Sequence, residues 1–110
     1  MKNYIKADII TAFDSAGLTT SYQAINASGL TGPTVMLRLY NGSNKDVYIS
    51  YDGTNPHEFM PSGAILTLYF QQNSAPNNHV AMMRKGTVVY VKGTVAGTGL
   101  IYLSAYYIES

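Results

Sequence analysis

Two histidines and six carboxylates are the candidates this chain offers for acid–base or metal chemistry, it has no cysteine, and no serine sits in a nucleophile-elbow context. His57 stands beside Glu58, but neighbouring side chains in an extended segment point to opposite faces and cannot share a ligand. For His57 the simpler reading is a strand-edge histidine making a local hydrogen bond. His79 has no carboxylate or second histidine near it in the sequence. Asp14, Asp46 and Asp52 fall where the chain reads as turns, and there a carboxylate bonds its own backbone. No spacing joins these, or Asp8, Glu58 and Glu109, into an acid–base pair. Gly97-Thr98-Gly99 lacks the lysine and the following helix of a phosphate cradle. These residues predict a protein that is not an enzyme, with no catalytic residue, no metal site and no cofactor.

The elements that would position any site are strands. From Thr34 to Glu109 the segments TVMLRLY, DVYISYDG, AILTLYFQQN, TVVYVKGT and GLIYLSAYYIE alternate in polarity with no helical interval. Such alternation sends successive side chains to opposite faces of a sheet. Turn signals recur between them. Asn41-Gly42-Ser43-Asn44 carries the strongest short hairpin signal, and Asp52 to Pro56, Pro61-Ser62-Gly63 and Arg84-Lys85-Gly86 follow. His57–Met60 and His79–Met83 read as short extended pieces between them. The fold class predicted is all-β, an antiparallel β-sandwich of jelly-roll or immunoglobulin-like type with about eight short strands. Its 110 residues form a single domain by length. In the last strand Ile101, Leu103, Ala105 and Tyr107 make the more uniformly apolar face and are the expected core side. Burying Ile101 and Leu103 stabilises by about 1.5–3 kcal/mol each.

Residues 1–33 read differently. Ile5–Phe13 and Leu18–Ile25 are β-prone, with Asp14 to Gly17 as a turn between them and a Gly, Ser, Asn and Pro loop from Asn26 to Pro33. They are either the first two strands or an N-terminal arm that lies on a neighbouring subunit, and their composition favours the strands.

Hydrophobic residues make up 46% of the chain and charged ones 12%, about half the usual charged share. Ten tyrosines and five methionines suit surfaces covered by other subunits. Tyr48, Met82, Met83, Tyr102 and Tyr106 are the expected interface residues. A net charge of +1 with scattered basic residues argues against nucleic acid, and no run approaches membrane-spanning length. Exposed Tyr and Asn also suit a carbohydrate-binding module, by stacking and hydrogen bonding. That is the alternative, with a glycan as partner.

One resemblance adds to this reading. DVYISYDGTNPHEFMPSGAILTLYFQQN, followed by RKGTVVYVKGTVAGTGLIYLSAYYIE, resembles a pattern in small β-sandwich virion proteins of tailed bacteriophages. There a strand ends at a D-G-T turn, a Pro-x-Gly step leads into a long strand, and a Lys-Gly-Thr hairpin precedes a Tyr-rich last strand. The likeness spans Asp46 to Glu109 and lies in the turns rather than in catalytic residues. It implies a structural subunit of a virion, such as a head decoration, neck or tail component. Its partners would be copies of itself and other virion proteins, with assembly in the host cytoplasm.

Overall fold

The computed structural model describes residues 4–69 and 83–109. It is all-β, with nine strands in two antiparallel sheets: β1 (Tyr4–Ala7), β2 (Thr11–Asp14), β3 (Gln23–Ala24), β4 (Thr34–Asn41), β5 (Val47–Ser50), β6 (Glu58–Met60), β7 (Ile65–Tyr69), β8 (Tyr90–Lys92) and β9 (Leu100–Glu109). The expected strand at His79–Met83 lies outside the described residues except for Met83, which exchanges backbone hydrogen bonds with Thr34 at 2.8 and 2.9 Å.

One sheet runs β1-β9-β4-β7, with β2 also on β9, and the other runs β3-β8-β5-β6. β1 and β2 occupy the same edge of β9, so they fill one strand position. The chain then pairs first position with last, second with seventh, third with sixth and fourth with fifth. A long antiparallel ribbon rolled up on itself gives that order, and it is the jelly roll rather than the immunoglobulin arrangement.

This topology corrects the Asn41-Gly42 hairpin. β4 and β5 lie in different sheets, so the turn between them crosses the sandwich instead of closing a hairpin. The reason is Asn41 itself. It is fully buried, and its side-chain amide donates to the carbonyls of Lys45 (2.8 Å), Met60 (3.0 Å) and Pro61 (3.2 Å) while its oxygen accepts from the N–H and hydroxyl of Ser43. The Lys-Gly-Thr segment is likewise no hairpin, because β8 and β9 belong to opposite sheets. Of Leu18–Ile25 only Gln23–Ala24 is strand. Before it, Thr19 and Ser21 bond each other, and the Gln23 side chain bonds the Gly17 carbonyl, which competes with a ladder.

The expected strand Ile5–Phe13 is present in two halves. Ala7 faces Tyr106 and Thr11 faces Leu103, so three residues, Asp8 to Ile10, stand against two, Ser104 and Ala105. This one-residue bulge flips the alternation. Ile5 and Ala7 lie on the outer face with Ile108 and Tyr106, whereas Thr11 and Phe13 turn to the core side with Leu103 and Ile101.

Leu37, Leu39, Ile101, Leu103 and Ala105 of one sheet meet Val47, Ile49, Met60 and Val91 of the other in a single buried cluster. Leu18, Ile25, Leu30 and Val89 close its ends. Ile101, Leu103 and Ala105 are therefore core, as their alternation predicts, and Tyr107 is half-buried on the same face with its ring against Gly32. Among the described residues, no helix is long and apolar enough to cross a membrane.

Candidate functional site

Since the inner face of β9 is core, Tyr102, Ser104, Tyr106 and Ile108 point the other way, out of the five-stranded sheet. The registers arrange this outer face in rows. Ala12, Tyr102, Tyr40 and Ile65 form one, and Ser104, Arg38 and Thr67 the next. Ala7, Tyr106, Met36 and Tyr69 make a third, and Ile5 with Ile108 a fourth. The Tyr40 and Tyr102 rings stack with centroids 6.1 Å apart and planes 10° from parallel. With Ile10, Arg38, Ile65 and Ser104 they line an open depression. Arg38 is the one charged side chain in these rows. Ile5 is 62% exposed, Ile10 57%, Ile65 64% and Tyr69 55%, so the sheet presents broad apolar surface to solvent.

The outer face of the four-stranded sheet is smaller and wetter. Tyr48 pairs across the strands with Phe59 and with Lys92. The Tyr48 and Phe59 rings are 5.1 Å apart, and the Lys92 ammonium lies 4.7 Å from the centre of the Tyr22 ring. A cation–π contact of this kind keeps the charge in the middle of the patch.

The expected interface residues therefore divide. Tyr102 and Tyr106 share the five-stranded outer face, and Tyr48 lies on the opposite side of the molecule. Met83 is partly buried against the core cluster. Met82 lies outside the described residues. The sequence reading missed Ile5, Ile10, Ile65 and Tyr69, whose strand-like neighbourhoods gave no sign of which face was covered.

The residues with chemistry are used in turns and crossings, Asp14, Asp52 and His57 locally and Asp46 across to a distant turn. Asp52 accepts from the N–H of Asn55 (2.9 Å) and Thr54 (2.8 Å), from the Asn55 amide and from the Ser50 hydroxyl, which together hold its carboxyl well below the usual range. His57 accepts from the Tyr51 N–H at Nδ1 (3.0 Å), the local bond expected of it. Its carboxylate neighbour is Asp52, with Nε2 to Oδ2 at 3.9 Å, rather than Glu58. Burial first, and the Glu58 charge second, push the Tyr51 hydroxyl well above its ordinary value. It stays a neutral phenol at physiological pH. Asp14 caps the short 3-10 turn Ser15–Gly17, and Asp46 accepts from the Ser62 N–H. Among the described residues no three His, Asp or Glu side chains converge as a metal site would need.

No family model matches the sequence, and no curated protein does. Several solved structures are similar to it at low identity. A protein of Bacillus endospore appendages, which form disulfide-linked pili, is similar over 100% of this chain and 93% of its own, with a TM-score of 0.45 and 12% identity. A chain of the virus-like particle of extra small virus, from the giant freshwater prawn Macrobrachium rosenbergii, is similar over 100% and 81%, with a TM-score of 0.49 and 12% identity. The Dit protein of phage SPP1, from the hub of an adsorption apparatus, is similar over 94% of this chain and 49% of its own, at 0.41 and 10%.

Proposed function

We propose that this chain is a non-enzymatic structural subunit of a phage virion, a head-decoration, neck or tail component that acts by protein–protein assembly. The jelly roll does not choose this role, since it serves capsid and lectin domains alike. The observation that carries it is the outer face of the five-stranded sheet, where Ile5, Ile10, Ile65 and Tyr69 are each more than half exposed beside Tyr40, Tyr102 and Tyr106. Contiguous apolar surface of this kind marks an interaction site, and Tyr and Met are enriched in such interfaces. The resemblance of Asp46 to Glu109 to small virion proteins points the same way.

A carbohydrate-binding module is the second reading, because two tyrosine rings flank Arg38 and Ser104 in one open depression. Against it, those two are the depression's only charged or hydroxyl side chains besides the tyrosines themselves, few for a ligand covered in hydroxyls. Light scattering over a hundredfold concentration range separates the two. A fixed multiple of the 12.0 kDa chain is expected of the structural subunit. A monomer at every concentration that is retained on a glycan array would replace it with the carbohydrate-binding reading.

A further inference from the structure

We propose that β1 is an exchangeable arm, which in the assembled protein pairs with the C-terminal half of β9 of a second copy. This rests on the assembly reading above and names the segment that would carry it. All four residues of β1 are exposed, and none belongs to the buried cluster. The backbone ladder to β9 runs from Tyr4 opposite Glu109 to Ala7 opposite Tyr106. A segment with few buried apolar contacts belongs to the low-stability end of a structure and opens most readily.

The strand is also separated from the sandwich at a defined point. Asp8 is anchored: its N–H donates to the Ala105 carbonyl (2.8 Å), and its carboxylate accepts from the Thr31 N–H (3.2 Å) and hydroxyl (2.8 Å). β2 continues into the core from there, through Phe13. The bulge between them, with Ile9 84% exposed, breaks the continuity of the edge strand. β1 can therefore detach without disturbing β2.

The occupant is fixed by identity. The edge vacated on one copy accepts the same four residues in the same register, so every backbone bond lost within a chain is regained between chains. Exchange of an identical element costs little beyond association itself. It would also draw two subunits together beside the outer sheet face, of which Ile5 and Ile108 are one row.

Ile5 and Ile108 supply the test. The Ile108 N–H donates to Pro33 on the far side of β9, so Ile5 and Ile108 form a non-hydrogen-bonded antiparallel pair, whose Cα atoms approach to about 4.5 Å. That spacing is within reach of a disulfide. The chain has no cysteine of its own, so the double variant Ile5→Cys/Ile108→Cys carries the only two thiols. After mild oxidation, most of the protein should run on a denaturing, non-reducing gel as covalent multiples of 12.0 kDa, either dimers from reciprocal exchange or a ladder from head-to-tail exchange. Intermolecular crosslinking no greater than that of the two single variants, with a multiple mass by light scattering before denaturation, overturns the exchange and leaves the assembly standing. A single-chain disulfide in a protein that is monomeric by light scattering overturns both.

Discussion

At the scale of single residues, buried polar groups fix this fold more than charges do. Asn41 is the clearest case. Its side chain satisfies three carbonyls from two loops and is itself satisfied by Ser43. Asn41→Ala leaves those groups buried without partners, and the expected loss is about 2–4 kcal/mol in denaturant unfolding. Asn41→Asp keeps the shape and the acceptor but removes the donors, so it should be no milder. Asp52 is different, because it is exposed. The N–H groups of Asn55 and Thr54 hold its carboxyl below the usual range. Its contribution is then fully present above the unfolded-state value of about 3.9 and is lost as the pH falls below that toward the lowered folded-state value. The difference in Tm between the native protein and Asp52→Asn should shrink as the pH falls below about 4. A difference that grows over that range would contradict the assigned bonds.

At the scale of elements, the strands were legible and their partners were not. Alternation placed the cores of β4, β5, β7 and β9 within a residue or two, and it chose the right face of β9, because side-chain period is local. Which strand pairs with which depends on the crossings, and there the local signal misled. Asn41-Gly42 has hairpin chemistry, yet Gly42 is needed for close approach, since a Cβ there would stand 2.7 Å from the Leu100 carbonyl oxygen. The bulge at Asp8–Ile10 was equally hidden, because it is defined by a count of residues on another strand. The crossing into β9 shows what such positions cost. Gly99 has φ +97°, and a Cβ on it would collide with the Gly42 carbonyl oxygen. Gly63 has φ +82°, with nothing within 4 Å of its would-be Cβ. Gly63→Ala should cost about 1–2 kcal/mol from backbone conformation alone. Gly99→Ala should cost more than about 2 kcal/mol, through the added collision. Equal losses in chemical denaturation would mean that the β9 crossing yields to the extra methyl.

At the scale of the molecule, the proposed assembly role turns on which of two opposite faces would meet a partner. Tyrosine content marked both, and only the assembled sheets show how they differ. Across the middle rows of the five-stranded face Arg38 is the one charged side chain, with Asp14 at the Leu100 end and large side chains exposed from β1 across to β7. The four-stranded face has Lys92 lying over its aromatic rings, and burying that face would strip water from the ammonium. A lysine placed on each face tests the contrast. Ile65→Lys puts a second cation in the row next to Arg38, and Phe59→Lys does the same beside Lys92. Both parent side chains are more than half exposed, so each variant should fold, Ile65→Lys with a stability within about 0.5 kcal/mol of the native protein and Phe59→Lys losing about 0.5–1.5 kcal/mol with its Tyr48 ring contact. In an interface, Ile65→Lys loses about 1.5–3 kcal/mol of apolar burial and adds an unpaired buried charge. At concentrations where the native chain assembles, Ile65→Lys should scatter as a 12.0 kDa monomer and Phe59→Lys should keep the native mass. The opposite pattern would move the contact to the Tyr48 side. Loss of assembly in both would mean that the two faces are buried together, as in a lattice rather than a closed pair.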